Sequence, residues 1–282
     1  PVALQVGGIQ PDKLADCAHM AQRWGYDEIN LNCGCPSERV QEGRFGVALM
    51  REPGLVAECV AAMQRHCNIP VTVKCRIGVD KQDDLAFLDH FVRTVAAAGC
   101  KKVIIHARKA WLKGLSPREN REKPPLNYER VYAVKQRYPG LKIIINGGFT
   151  DKDSVDAALH RCDGVMIGRA AYKTPYMLAG ITGRSAERWP SRTQVARQMA
   201  DYMQIMTQEH ATPWRHVTRH MLGLFHGLPG GRRWRQFLSE TRAENYADAH
   251  NYIDDALIAM NGGRAFESNE NLTANEMNVV AV

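Results

Sequence analysis

The chain has 282 residues, 45% of them hydrophobic, enough for a substantial core in one large domain or two unequal ones. Its formal net charge of +7 is compatible with an anionic partner such as nucleic acid. Eight cysteines without a C-x-x-C pair argue against a zinc site or disulfide framework and for a reducing, cytoplasmic compartment. No apolar run reaches the length of a membrane span, and no signal peptide precedes the first strand pattern, which begins at Pro1 without an initiator Met.

The first strand pattern is "VALQV", residues 2–6, ending close to Gln5. The second, "EINLN" at 28–32, ends on Asn32 and breaks at Cys33-Gly34-Cys35-Pro36. Gly34 permits backbone angles other residues avoid, and Pro36 fixes its own φ. The expected result is a sharp turn that presents the Cys35 thiol, although a free cysteine is more commonly a small buried hydrophobe. Residues 55–66 follow as an amphipathic helix, with Val56, Val60 and Met63 at helical spacing. Next comes "VTVKC" (71–75), where Lys74 and Arg76 alternate with apolar residues. "KVIIH" (102–106) ends on His106, and "KIIIN" (142–146) runs into Asn146, Gly147 and Gly148. "GVMIG" (164–168) brings Gly168 and Arg169.

Strands alternating with helices imply parallel βαβ units. Their polar residues cluster at the C-terminal ends. That is the ligand side of a (β/α)8 TIM barrel, and also of an open doubly wound sheet. A full barrel needs eight strands and six are found, so two βα units, roughly 60 residues, are expected to precede Pro1. After residue 181 the pattern changes to "ERWPSRTQ", a linker and helix start with Ser191 as N-cap. Helical patterns then carry Val195/Met199/Tyr202/Met206, Val217/Met221/Leu224, Trp234/Phe237/Leu238 and Ala249/Ile253/Ala256/Met260. The organisation read here is a catalytic barrel over 1–180, N-terminally incomplete, a helical domain over 185–261 and a flexible tail over 262–282.

Two glycine signals at consecutive strand ends, Asn146-Gly147-Gly148 and Gly168-Arg169, suit phosphate binding by backbone N–H groups. A lysine on a strand that should be buried on both faces calls for pairing or function. His106 points to the same mouth as Lys74, Asn146 and Cys35. Together with the absence of a metal cluster, these residues suggest a phosphorylated cofactor.

The stretches "LNCGCPSERVQEGRFG", "VTVKCRIG", "IIHARKAWLKGLSPRENREKPPLNYERV", "INGG" and "DGVMIGRAAY" resemble the flavin-dependent tRNA-dihydrouridine synthases. The likeness is greatest to the bacterial A-type members, which act on positions 20 and 20a of the D-loop, and it runs from Pro1 to about Met260. The resemblance implies an FMN-binding barrel followed by a helical tRNA-binding domain. It also implies FMN reduced by NADPH and a hydride passed to C6 of a uracil. By motif, Cys35 resembles the acid that protonates C5. Gln5, Lys74 and His106 resemble residues that hold FMN, while Asn146, Gly147, Gly148, Gly168 and Arg169 match its phosphate clamp. Asn32 and Arg76 correspond to substrate contacts. One departure is "RFGVALM", where relatives tend to carry a small residue and a Cys in place of Val47-Ala48.

A uracil stacked inside an RNA elbow must be flipped to be reached, so binding should rest on phosphate contacts and shape. Residues 214–235 hold Arg215, Arg219, Arg232, Arg233 and Arg235 and no acid. Trp214 and Trp234 are better suited to core packing than to base stacking. The loop after His106 adds Arg118 and Arg121, tempered by Glu119 and Glu122. Arg118, Arg121, Arg232 and Arg235 are the candidate tRNA contacts, in a protein expected to be monomeric. Two other readings remain: an FMN barrel oxidoreductase acting on a small pyrimidine, and a non-catalytic RNA-binding relative.

Overall fold

A computed structural model describes residues 1–37, 43–181 and 189–263. Part of the turn after Cys35 (residues 38–42), the Glu187-Arg188 part of the expected linker and nearly all of the expected tail lie outside them. The chain divides into two compact units, Pro1–Phe149 with Asp153–Ile167, and Thr150–Lys152 with Gly168–Val282.

The first unit holds six described strands: β1 (Ala3–Val6), β2 (Glu28–Cys33), β3 (Val71–Arg76), β4 (Lys102–His106), β5 (Lys142–Asn146) and β6 (Gly164–Met166). They pair in the order of the chain, every pair parallel. The six expected strands are all present, and β6 stops two residues short of Gly168. Parallel neighbours in chain order need a crossover each, supplied by α1 (Pro11–Arg23), α2 (Pro53–Arg65), α3 (Leu85–Ala97), α4 (Tyr128–Arg137) and α5 (Lys152–Leu159). The arrangement is that of part of a (β/α)8 barrel.

Each helix is fixed by local chemistry. Pro11 and Pro53 sit in the first turns of α1 and α2, where their missing N–H would have had no helical partner anyway. The Asp84 carboxylate accepts from Phe87 N to cap α3, and the Asn127 side chain accepts from Arg130 N to cap α4. Leu14, Ala15, Ala18 and Ala21 give α1 a buried face of small residues that allows close approach to α2. The opposing face of α2 buries Val56, Cys59, Val60 and Met63.

Strand residues that point outward, Ile29, Leu31, Val73, Val103, Ile105, Ile143 and Ile145, are fully buried under these helices. The inward-pointing set is far more polar. Register aligns Gln5 with Asn30 and Asn30 with Thr72, then Asn32 with Lys74, and at the rim Arg76 with His106 and His106 with Asn146. The sheet thus converts alternation along each strand into stacked polar layers.

In the second unit, α6 (Arg169–Lys173) and α7 (Met177–Ile181) precede α8 (Arg192–His210). Ser191 caps α8 as expected, in a reciprocal capping box with Gln194. α9 (Arg215–Thr218) is much shorter than the Val217/Met221/Leu224 pattern suggests. The chain continues from there as a run of turns, and Gly227 takes φ 80°. At Gly223 any Cβ would lie 2.0 Å from the Lys173 carbonyl oxygen. α10 (Gly231–Glu240) and α11 (Ala249–Met260) complete the unit around a core of Trp234, Tyr252, Phe225, Ile253 and Met203. Burying side chains of this size stabilises by about 1.5–3 kcal/mol each.

Candidate active site at the strand ends

Asn32, the penultimate residue of β2, builds the turn that carries Cys35. Its Oδ1 accepts from Gly34 N at 2.9 Å and from Cys35 N at 3.1 Å. An asparagine oxygen that takes two successive backbone N–H groups folds the chain back on itself. Gly34 does not adopt a positive φ, and a Cβ there would meet only ordinary contacts near 3.5 Å. The expectation that glycine's freedom makes this turn is therefore corrected: the Asn32 amide makes it. Beyond it, the Cys35 carbonyl accepts from the fully buried Val47 at 3.0 Å. The Cys35 thiol is half-buried and reaches Ser37 Oγ at 3.5 Å.

All eight cysteines are free, and Cys33, Cys59, Cys75, Cys100 and Cys162 are buried. Burial drives the Cys33 thiol far above its usual range and lifts Cys75 to about 12. Cys35 is less buried than Cys33 and Cys75 and has two cations, Lys74 and Arg76, as neighbours.

Lys74 is the feature that most demands a ligand. Burial and the adjacent Arg76 charge lower its ammonium from 10.5 to about 8. It has no ion-pair partner among the described residues. His106, two register rows from β2, is pushed from 6.5 to about 3 by burial and by Arg76, Lys74 and Arg108. It is therefore a neutral imidazole at physiological pH. Its buried Nδ1 has no hydrogen-bond partner.

Arg76 is placed differently from the substrate contact expected of it. It is 4% exposed. Its Nε donates to Gly34 O at 2.8 Å, and its Nη1 to Lys109 O at 3.0 Å and Asn120 O at 2.9 Å. A guanidinium that holds three carbonyls is a brace. It ties the Cys35 turn to the loop that follows β4.

That loop is ordered by a residue the sequence reading passed over. The Asn120 side chain, fully buried, accepts from Trp111 N at 2.7 Å and donates to the carbonyls of Trp111, Leu115 and Ser116 at 2.9, 3.1 and 3.3 Å. No local pattern marks it, because its partners are loop backbone.

Gln5 belongs to a longer construction. Lys102 Nζ pairs with Glu28 at the N-terminal end of the strands. Thr72 Oγ1 donates to Glu28 Oε1 at 2.6 Å, and Asn30 Nδ2 to Thr72 Oγ1 at 2.8 Å. Gln5 Nε2 donates to Asn30 Oδ1 at 2.7 Å, and Asn32 Nδ2 to Gln5 Oε1 at 3.1 Å. A continuous ladder of hydrogen bonds thus runs from a half-buried ion pair to the Cys35 turn. Its one sequence signal is Asn30, a polar residue in mid-strand where an apolar one would be ordinary.

At the β5 end, Gly147 and Gly148 take φ of 119° and 81°. A Cβ at Gly148 would come within 2.7 Å of Leu126, and one at Gly147 within 3.1 Å of Leu126 and 3.4 Å of His106 Nε2. Only glycine satisfies both limits. Tyr128 OH donates to Gly147 O at 2.6 Å and pins the turn. Asn146 spends its Nδ2 on Met166 O at 2.7 Å, linking β5 to β6. Gly168 and Arg169 lie in the second unit, Arg169 as the first residue of α6. The unpaired Lys74 ammonium, the orphaned His106 Nδ1 and the bare glycine turn together suit an anionic, hydrogen-bonding cofactor.

Among the candidate RNA contacts, Arg118 is highly exposed and lies 3.7 Å from Glu122, and Arg121 is exposed on the same loop. Arg232 is exposed and Arg235 half-exposed on α10. Arg233 is a structural residue instead, with Nε and Nη2 donating to Met260 O at the end of α11. Trp234 is buried with Nε1 bonded to Met221 O, and Trp214 packs against the same core.

A sequence model of the family described as Dihydrouridine synthase (Dus) matches residues 1–259. A tRNA-dihydrouridine(20/20a) synthase of Shewanella oneidensis is 55% identical over 250 residues, 88% of this chain and 74% of that protein. The protein of the same description from Escherichia coli K12 is 51% identical over 261 residues, 91% of this chain and 75% of its own. Among solved structures, a phosphoenolpyruvate phosphomutase from Streptomyces platensis covers 93% of this chain and 90% of that one at 18% identity, with a TM-score of 0.40, too loose a likeness to carry an argument. The family match spans almost all of the chain, and both relatives are identical to it at more than half of the aligned positions: the chain belongs to the dihydrouridine synthase family.

Proposed function

We propose that this chain reduces uridines at positions 20 and 20a of the tRNA D-loop to 5,6-dihydrouridine, with FMN as bound cofactor and NADPH as reductant. The observation that carries the reading is the Asn32-built turn, which sets a half-buried thiol beside two cations at the mouth of the strands. The printed descriptions of the Shewanella and Escherichia relatives support the same substrate.

Lys74 and Gln5, with the neutral His106, would hold the ring and ribityl parts of the cofactor. Asn146, Gly147, Gly148, Gly168 and Arg169 would hold its phosphate. When bound and reduced, the flavin supplies a hydride to C6 of the uracil. Cys35 gives its proton to C5 from the opposite face, and the thiolate left behind is stabilised by Lys74 and Arg76. Asn32 has a second task, since its position one layer below the rim suits contact with the flipped base. Arg76 keeps the acid in place through Gly34 O.

The tRNA is held by Arg118, Arg121, Arg232 and Arg235, and the target base must leave its stack to reach Cys35. The protein acts as a monomer in the cytoplasm. Among the described residues no helix is long and apolar enough to cross a membrane.

The test is single-turnover dihydrouridine formation on unmodified tRNA. Cys35→Ala should keep bound flavin and tRNA affinity and lose about 10²–10⁴-fold in rate. A near-normal rate in this variant would remove Cys35 as the acid. A colourless wild-type protein that binds tRNA would remove the enzyme reading itself.

A further inference from the structure

Beside the strand ends, the end of β3, the loop after β4 and the first turn of α4 enclose a hollow of about 360 Å³. Ile77, Trp111, Pro124 and three cations, Lys109, Lys123 and Arg130, are in its lining, with Asp83 as the one carboxylate. Lys109 and Trp111 enter the site described above through backbone atoms alone, as partners of Arg76 and Asn120.

The walls are fixed in advance. Asn120 holds Trp111 by both its N–H and its carbonyl. Pro124 is buried, and Asn127 sets Arg130 in the first turn of α4. The charges are unevenly satisfied. Asp83 is engaged by Lys109 at 2.9 Å, and Lys123 reaches the exposed Glu119 at 2.6 Å. The guanidinium of Arg130 has no ion-pair partner among the described residues. Lys109 Nζ lies 4.4 Å from the centre of the Trp111 ring, which keeps the indole upright at the wall.

A bare phosphate would need the cations but no indole. An apolar ligand would need the indole but no cations. A planar base joined to a phosphate uses both, and the volume falls in the range of small-ligand sites. We propose that this hollow is a nucleotide-binding site, with the base against Trp111 and a phosphate on Arg130 and Lys123. The assignment rests on the function proposed above, because that function brings two nucleotide ligands to the protein. One is the adenosine phosphate end of the reduced coenzyme, and the other is a nucleotide of the tRNA.

The experiment has three arms on flavin-loaded protein. In the first, adenosine 2′,5′-bisphosphate is titrated calorimetrically. Trp111→Ala and Arg130→Met should each weaken it at least tenfold, Arg130→Lys should recover part of the loss, and flavin content should not change. In the second, flavin reduction is followed by stopped flow with NADPH and with NADH. In the third, chemically reduced protein meets tRNA in a single turnover. If the occupant is the coenzyme, Arg130→Met raises half-saturation for NADPH about tenfold more than for NADH and leaves the third arm unchanged. If it is a tRNA nucleotide, the variants slow the third arm and leave the second unchanged. Wild-type protein that ignores the bisphosphate, or variants that match wild type in all three arms, overturn the proposal. Wild-type protein that forms no dihydrouridine would defeat the functional reading, and the calorimetric arm would still decide the site.

Discussion

Replacing Asn120 by alanine isolates the loop that follows β4. The substitution removes one bond accepted from Trp111 N and three donated to Trp111, Leu115 and Ser116. A made hydrogen bond contributes about 0.5–1.5 kcal/mol net, and a buried group left without a partner costs about 1–3 kcal/mol. The four are not equal. Ser116 is exposed, so its carbonyl regains water, and the 3.3 Å bond to it is the longest. The loss is concentrated on the two Trp111 groups and on Leu115. A destabilisation of about 2–4 kcal/mol follows, on the same scale. Urea unfolding followed by circular dichroism should show the midpoint falling with an unchanged slope. Asn120→Asp, which keeps the acceptor and loses the donors, should fall between wild type and alanine. A loss below about 1 kcal/mol for alanine would show that the loop is held by other means.

Three further outcomes are expected. His106 stays neutral in the fold down to about 3 while the unfolded chain protonates near 6.5. Its contribution is therefore complete above 6.5 and is lost as pH falls toward 3, by at most about 5 kcal/mol, and His106→Gln should flatten that part of the pH–stability curve against wild type. Lys74 has the same sign over a higher pH window in the flavin-free protein. Folding opposes its charge fully below about 8 and not at all above 10.5, so Lys74→Met should raise neutral-pH stability by about 2–3 kcal/mol in denaturant titration while flavin affinity drops, and a destabilised variant would contradict this. Arg232→Ala and Arg235→Ala should each lower the log–log salt slope of tRNA binding by roughly 0.7–0.9 with flavin content unchanged, and an unaltered slope removes that residue from the interface.

The six strands, their parallel order and the polar residues at their ends were legible because alternation and spacing are local properties. So were the cap at Ser191 and the burial of Trp234. Gly34 misled because a glycine and a proline flanking Cys35 suggest special angles, whereas the turn is set by the side chain of Asn32 two residues before Gly34. Arg76 was expected to be a substrate contact, and its bracing role was not legible. Its three carbonyl partners come from segments 33 to 44 residues away, and spacing along the chain carries no trace of them. The ladder through Asn30 and Thr72 needs the β2–β3 register before either residue gains meaning. The shortness of the helix around Val217 left no mark in the apolar pattern, because Val217, Met221 and Leu224 are all buried although the chain beyond Thr218 runs in turns.

The ladder from Lys102 to the Cys35 turn has a direction. Every rung above Glu28 donates downward, from Asn32 to Gln5, then Asn30, then Thr72, to the carboxylate. An isolated row of amides could be read in either sense, and the anion at its foot selects one. That selection leaves an oxygen, not an NH2, facing the two N–H groups of the turn. The positions are therefore collectively heritable. A change at Glu28 that reversed the lowest rung would ask Asn30, Gln5 and Asn32 to turn over together, and would set an NH2 against the two N–H groups at the top. Across diverging members of the family, positions 5, 28, 30, 32, 72 and 102 are expected to drift as one correlated block or to stay fixed as one.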